Sequence, residues 1–176
     1  QAQAFEVLAG GALQAERKVF MFACLARAAG SLGMCGGQAI DLASVGIALP
    51  REALEQMHRL KTGARLEASV MLGALAGKSL QPAETAALRS YAAAIGLAFQ
   101  VVDDILDATA DSATLGKTAG KDAANNKPTY VSILGLDDSL ALAEKLRQDA
   151  HEALQGFGDG AIRLKELADL IVQRTT

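Results

Sequence analysis

The 176-residue chain contains no tryptophan, and aromatic residues make up only 4% of it. β-Branched residues never cluster into the alternating runs that are typical of strands, so the sequence gives no indication of a β-sheet. Hydrophobic residues nevertheless account for 51% of the chain, and alanine and leucine dominate them. A chain of this length can build a sizeable core, so the composition favours a single all-α domain covering residues 1–176.

Basic residues are also too few to dominate the surface. The net charge is −3, and lysine and arginine are scattered among acidic residues. The sequence therefore lacks the basic stripe that nucleic acid or an anionic membrane requires, and an anionic substrate would need a metal ion. No uninterrupted apolar segment reaches the ~20 residues of a membrane span, and no signal peptide is visible. These absences predict a cytoplasmic protein with no nucleic-acid partner and no membrane span.

The two cysteines, Cys24 and Cys35, occur in an apolar helical stretch without a CxxC pattern or neighbouring histidines. We expect them to be reduced core thiols, and we expect no zinc site. His58 is interpreted as a partly exposed helix residue rather than a ligand.

Glycine and proline divide the chain into predicted helices. In chain order, the first predicted helix ends at residues 9–11. The five that follow cover about 16–44, 50–77, 82–108, 136–157 and 161–173. In the second of them, four residues are spaced as one buried stripe, namely Val19, Phe22, Ala26 and Ala29. The polar segment 109–130 breaks the helical pattern, and a loop of that length inside a compact domain is usually functional.

Three aspartates interrupt the apolar stretch "LAFQVVDDILDATAD" near the end of the helix that begins at Pro82. Asp103 and Asp107 stand one turn apart on one face, and Asp104 lies within reach of Asp107. Burying carboxylates without partners is costly, and the negative end of the helix dipole adds to the cost. The cluster therefore predicts a divalent cation. Mg²⁺ fits because it takes one or two carboxylates and completes its shell with water and substrate phosphate.

Lysines follow the aspartates in the predicted loop, at Lys117, Lys121 and Lys127. Each is a point-charge partner for phosphate oxygen. The "GKT" at 116–118 does not complete a P-loop, because Asp111 occupies the first glycine position and a helix precedes it. An EF-hand is excluded because no glycine occupies the sixth position counted from Asp103, Asp104 or Asp107.

Two weaker patterns precede this region. Lys61 and Thr62 lie in mid-helix beside Gly63, which would let another group approach the backbone closely. Gln38 and Asp41 are i, i+3 neighbours after a double glycine. Either pattern alone also fits a solvated helix face.

Five motifs, "GQAIDL", "MHRLKTGA", "FQVVDDILD", "GKTAGKD" and "KPTYV", occur in the order and approximate spacing found in the trans-isoprenyl diphosphate synthases. The chain resembles this family over essentially its whole length and is most similar to the bacterial farnesyl diphosphate synthase branch. The resemblance implies an all-α, isoprenoid-synthase-type helical bundle around a central apolar cavity, present here in part. It also implies a homodimer formed through helices near the Val19 to Ala29 stripe.

The resemblance implies a role for each motif residue. "DDILD" looks like the second aspartate-rich motif, whose Mg²⁺ ligands, with Mn²⁺ as an alternative, would be Asp103 directly and Asp104 and Asp107 through water or in support. Residues that would contact the allylic diphosphate are Lys61, Lys117 and Lys127. Thr62 and Gln100 would lie beside the reacting allylic carbon. Together with Lys61 they would form the catalytic set. Supporting residues would be Gln38, Asp41 and Asp122.

The implied reaction condenses an allylic diphosphate, dimethylallyl or geranyl, with isopentenyl diphosphate by Mg²⁺-assisted ionisation, giving farnesyl diphosphate. In the family, the first aspartate-rich motif and the isopentenyl diphosphate site lie upstream of the position matching Gln1. We therefore expect the chain to be the C-terminal portion of a longer synthase and to be inactive alone. A longer or shorter product, a terpene cyclase and an inactive all-α partner subunit remain as alternatives.

Overall fold

The computed structural model describes residues 1–47, 49–109 and 129–174, and this part of the chain is helical without a strand. In chain order, its α-helices are α1 (Ala2–Gly10), α2 (Ala15–Ala29), α3 (Met34–Ala43), α4 (Arg51–His58), α5 (Ala64–Gly77), α6 (Pro82–Thr109), α7 (Tyr130–Leu134), α8 (Leu136–Ala153) and α9 (Ile162–Gln173). A π-helical turn (Arg59–Gly63) joins α4 to α5, and a 3₁₀ segment (Gln155–Ala161) joins α8 to α9. The predicted all-α fold is confirmed.

Helix α6 is the centre of the bundle. Its buried residues extend from Leu88 to Ile105, and it packs against α5, α8, α9, α7 and the π turn. It begins at Pro82, where the missing N–H is harmless because the first turn has no intrahelical acceptor. Glu84 in the same turn complements the helix dipole. The predicted bounds of this helix are correct to within one residue at each end.

One hydrophobic cluster forms the core of the described residues, and Leu54, Tyr91 and Leu154 are fully buried in it. The Tyr91 hydroxyl donates a hydrogen bond to the Leu164 carbonyl of α9 at 2.7 Å. Burial raises the pKa of Tyr91 to about 12, so the phenol stays neutral and the bond is kept. This contact joins the central helix to the C-terminal helix.

The predicted long helix from Glu16 to Ser44 is wrong. Helix α2 ends at Ala29, and α3 begins only at Met34. The intervening residues include Gly30 and Gly33, and glycine is a poor helix former. Helix α3 packs against the π turn.

The predicted buried stripe on α2 is also wrong. Val19 is 65% exposed and Ala26 is exposed, whereas the buried residues of α2 are Met21 and Ala28. The stripe had the right helical spacing but the wrong face. An apolar surface is therefore left open along α2.

Three further side chains were assigned by sequence. Cys24 is half-buried, and burial raises the pKa of its thiol, whereas Cys35 is exposed and is not a core thiol. His58 is buried rather than partly exposed, and its ring stacks on Tyr130 with 5.9 Å between centroids. His58 therefore packs at the junction of α4 and α7.

Two segments of the described chain are long and apolar enough to cross a membrane by length and composition alone, Ala15–Ala43 and Pro82–Thr109. This differs from the sequence-based count, which found none. The second segment is α6, the core helix of this bundle, and the first is interrupted by the turn between α2 and α3. Core helices of soluble proteins pass the same test, so the prediction of no membrane span stays a prediction.

Candidate active site

Lys61 and Asp41 come from two motifs that are 20 residues apart in sequence and are in contact in the structure. Lys61 Nζ donates a hydrogen bond to Asp41 Oδ2 at 2.7 Å. The two side chains are 30% and 14% exposed, so the ion pair is partly buried. Lys61 lies in the π turn, an insertion into helical geometry that occurs frequently at functional sites.

Asp104 is almost completely buried, with 4% of its surface exposed. Its Oδ1 accepts a hydrogen bond from Gln100 Nε2 at 3.1 Å, and its Oδ2 accepts one from the Tyr130 backbone N–H at 2.8 Å. Thr129 and Ser132 form a reciprocal capping box that starts α7 at this point. Asp104 therefore anchors α7 to α6, a position that fits a supporting role better than direct contact with a metal.

Asp103 and Asp107 are partly exposed on the same helix. Asp103 Oδ1 accepts a hydrogen bond from Arg174 Nη2. Arg174 also donates to the Phe99 carbonyl at 3.0 Å, and its guanidinium lies 4.2 Å from the centroid of the Phe99 ring. In this structure the positive charge beside Asp103 is a side chain from the end of the chain.

The carboxylate oxygens of Asp103 and Asp107 are of the type that Mg²⁺ prefers. Among the described residues, no group of three or more His, Cys, Asp or Glu side chains is arranged to hold a metal. An ion held by this pair of carboxylates would take most of its shell from water and substrate oxygens. Metal binding by Asp103, Asp104 and Asp107 stays a prediction.

A cavity of about 130 Å³ lies between the Lys61–Asp41 ion pair and the Gln100–Asp104 hydrogen bond. Predicted site residues in its lining are Asp41, Lys61, Gln100 and Asp104. Its volume suits a few waters, each taking about 30 Å³, or a phosphate group, but not a prenyl chain. Its lining carries two aspartates and one lysine, so an anion there would need further positive charge.

Other predicted site residues lie near this cavity or outside the described chain. Thr62 lies in the π turn and Gln38 in α3, but neither is part of the lining. Lys117, Lys121, Lys127 and Asp122 lie outside the described residues. The structure therefore brings together the lysine and aspartates of three motifs and leaves the predicted loop untested.

Two larger grooves run along α2. Their volumes are about 430 and 600 Å³, and both are lined by Phe20, Cys24 and Arg89, with α5 forming the opposite wall. Their surfaces are mainly apolar, although arginine, glutamate and other polar side chains also contribute to the linings. They provide hydrocarbon-sized space that the small polar cavity does not.

Sequence reasoning missed several residues of the site, among them Thr129 and Arg174. Thr129 lines the small cavity, and its "TYVS" pattern is a capping signal that could have been read from the sequence. Arg174 is 71 residues from Asp103, and no local pattern connects them.

The fold and the site together define an α-helical bundle of the isoprenoid-synthase type. The family model for polyprenyl synthetase matches residues 1–156. The chain belongs to the polyprenyl synthetase family, which confirms the resemblance inferred from the motifs.

Individual relatives agree with this assignment. Farnesyl diphosphate synthase of Escherichia coli (strain K12) is 45% identical over 160 residues, covering 89% of this chain and 54% of that protein. A geranyltransferase from Helicobacter pylori, solved with magnesium and isoprenyl diphosphate, is 29% identical with a TM-score of 0.81. The match covers 97% of this chain and 56% of that one. A geranylgeranyl pyrophosphate synthetase from Pyrococcus horikoshii is 27% identical with a TM-score of 0.87, and the match covers 98% of this chain and 64% of that one. The chain spans about half the length of the curated relatives it matches.

Proposed function

We propose that this chain forms part of a prenyltransferase that condenses an allylic diphosphate with isopentenyl diphosphate and yields farnesyl diphosphate. The observation that carries the proposal is the convergence of Lys61, Gln100 and Asp104 on one cavity in a chain of this family. The E. coli relative is named a farnesyl diphosphate synthase, and the H. pylori relative was solved with isoprenyl diphosphate. Both names support this substrate class.

Asp103 and Asp107 are the residues that would hold Mg²⁺. When bound, the ion neutralises charge on the departing diphosphate and so lowers the barrier to ionisation. Magnesium is present in the H. pylori relative, which supports this choice. Lys61 would add a fixed ammonium group beside the diphosphate oxygens, oriented by its contact with Asp41.

Gln100 has a different role from the charged residues. Its amide nitrogen donates to Asp104, which leaves its carbonyl oxygen to stabilise positive charge as the allylic carbon ionises. Thr62, one residue after Lys61, would contribute its hydroxyl to the same region. Once the bond between the allylic carbon and the diphosphate oxygen has broken, the double bond of isopentenyl diphosphate attacks that carbon and forms the new carbon–carbon bond. The cation that results would lose a proton to the departed diphosphate, bound by Lys61.

The allylic cation must be protected from water, because water would quench it to an alcohol. The apolar grooves along α2 offer a surface for the prenyl chain. Lys117 and Lys127 would add further contacts to the diphosphate, with Asp122 in support. A cytoplasmic location also stays a prediction.

A titration with inorganic pyrophosphate, with and without Mg²⁺, tests the site in this chain. We expect Mg²⁺-dependent binding that weakens roughly 10- to 100-fold in Lys61→Met, since a hydrogen bond to a charged group contributes about 1.5–3 kcal/mol. Asp103→Asn should lose the Mg²⁺ dependence. Lys145→Met is the matched control, because Lys145 is an exposed lysine on α8 paired with Asp149. Binding that does not depend on Mg²⁺ would contradict the proposed site.

Product formation requires a separate test. With labelled isopentenyl diphosphate, we expect the complete gene product to form an elongated prenyl diphosphate and residues 1–176 alone to form none. A terpene cyclase would not incorporate isopentenyl diphosphate, and an inactive partner subunit would bind no pyrophosphate. The P. horikoshii relative is named for a geranylgeranyl product, so geranylgeranyl diphosphate is the second candidate product. Mass spectrometry of the product distinguishes it from farnesyl diphosphate.

We also propose a homodimer through α1 and α2. Val7 and Val19 are 68% and 65% exposed on these helices, and exposed apolar patches of this kind mark interfaces. Sedimentation velocity should give a dimer for the wild type and a monomer for Val19→Asp. Leu170→Asp is the control, because Leu170 is equally exposed but lies on α9. A monomeric wild-type protein would count against the proposal.

A further inference from the structure

The backbone of the π turn is in direct contact with a neighbouring helix at Gly37. A Cβ atom built on Gly37 would stand 2.2 Å from Lys61 N and 2.6 Å from Lys61 Cα. Gly37 is the buried residue of α3. Only a residue without a side chain permits two helical backbones to approach so closely.

A second glycine makes a similar contact from α6. A Cβ atom built on Gly96 would stand 3.1 Å from the Cα of Gly63, the last residue of the π turn. Gly96 is also buried. The π turn is therefore fixed to both α3 and α6 through glycine contacts.

Each glycine precedes a site residue by one helical turn. Gly37 and Asp41 are i, i+4 neighbours on α3, and Gly96 and Gln100 are i, i+4 neighbours on α6, so each pair shares a helix face. The separation of the backbones at the glycines therefore governs the separation of the side chains one turn later. The 2.7 Å contact between Lys61 and Asp41 depends directly on this spacing.

We propose that Gly37 and Gly96 are positioning residues, which set the place of the Lys61 ammonium group relative to Asp41 and the small cavity. The proposal rests on the proposed function only in that Lys61 binds diphosphate. Real Cβ atoms essentially never approach other atoms closer than 3.0 Å, so alanine at 37 must displace the π turn by about 1 Å. Alanine at 96 requires a shift of only a few tenths of an ångström. The two substitutions thus form a graded pair.

Gly73→Ala supplies the matched control. Gly73 is a helical glycine of α5, and no atom lies within 4 Å of a Cβ built on it. All three variants make the same chemical change in a helix, so they share the gain in helix propensity. They differ in what the new methyl group meets.

The first measurement needs no ligand. In protein labelled with ¹⁵N lysine, nuclear magnetic resonance should detect the Lys61 ammonium group, because its bond to Asp41 slows proton exchange with water. We expect this signal to be lost in Gly37→Ala, shifted in Gly96→Ala and unchanged in Gly73→Ala. An unchanged signal in both of the first two variants, with helix content retained, overturns the proposal. If Gly37→Ala does not fold, Gly96→Ala decides the result in the same way.

The second measurement is Mg²⁺-dependent pyrophosphate binding. We expect affinity to fall about 10-fold in Gly37→Ala, about 2- to 3-fold in Gly96→Ala, and not at all in Gly73→Ala. In a Lys61→Met background, Gly37→Ala should cause no further loss, because the glycine acts through that lysine. An additive loss would show a general packing effect and would overturn the proposal. A wild type that binds no pyrophosphate refutes the proposed function, and the resonance measurement still decides the role of the glycines.

Discussion

Replacing Asp104 by leucine separates the structural role of this residue from a role as a metal ligand. Leucine is close to aspartate in shape but has no acceptor atoms. The Tyr130 backbone N–H, now 2.8 Å from Asp104 Oδ2, would remain buried without its acceptor. The Gln100 amide, now 3.1 Å from Oδ1, would have to turn away. The start of α7 would lose its anchor on α6.

The expected cost follows from these two contacts. A buried donor without an acceptor costs about 1–3 kcal/mol, and the second hydrogen bond adds about 1 kcal/mol. We expect Asp104→Leu to lower the free energy of unfolding by about 2–4 kcal/mol, or the melting temperature by roughly 5–15 °C for a chain of this size. Asp104→Asn should cost only about 1 kcal/mol, because Gln100 can reverse its amide and accept from the new NH₂ group.

Thermal unfolding followed by circular dichroism in EDTA measures the effect without metal. If Asp104 were mainly a metal ligand, its removal would relieve repulsion from Asp103 and Asp107 and would stabilise the metal-free protein. The structural role and the metal-ligand role therefore predict changes of opposite sign in the melting temperature of Asp104→Leu. Asp103→Leu is the control on the same helix, because its carboxylate is 42% exposed and its pairing with Arg174 is worth no more than about 1 kcal/mol. A melting temperature of Asp104→Leu at or above that of the wild type would refute the reasoning.

Three further outcomes are expected. Tyr91→Phe removes the bond from α6 to α9 and should lower stability by about 1 kcal/mol in urea unfolding. The hydrogen bond from Arg147 holds the pKa of Asp169 below its usual range, so the ionised carboxylate stabilises the fold at neutral pH and loses this effect on acidification. Asp169→Asn should therefore lower the free energy of unfolding by up to about 1 kcal/mol at pH 7. The difference in melting temperature between wild type and variant should shrink below about pH 4. Arg174→Gln frees Asp103 and should tighten Mg²⁺ binding by up to about 5-fold in calorimetry, and weaker binding would contradict that assignment.

The helices with strong local signals could be predicted from sequence. Pro82 and Glu84 mark the start of α6, and the apolar run behind them predicts burial on most sides, as found. The face of α2 could not be predicted, because periodicity identifies a stripe but not the neighbour that covers it. Val19 and Met21 are both apolar, yet only Met21 is buried.

The site could be predicted by residue type but not by partner. The aspartate cluster of α6 was found because carboxylates in an apolar helix demand an explanation. The partners of two of them, the Tyr130 backbone and the Arg174 side chain, are 26 and 71 residues away. Such contacts arise from the packing of α7 and of the chain end against α6. No local rule encodes that packing.

The burial of both tyrosines gives this molecule a built-in optical reporter. The chain has no tryptophan and only two tyrosines, so its near-ultraviolet spectrum is dominated by Tyr91 and Tyr130, each 0% exposed. One ring reports on the junction of α6 with α9 and the other on the start of α7. Burial raises the pKa of both phenols, so the neutral forms stabilise the fold until the pH rises above the usual tyrosine range. Phenolate absorbance that already appears in the usual tyrosine range of an alkaline titration therefore measures opening of the bundle itself, without an attached dye.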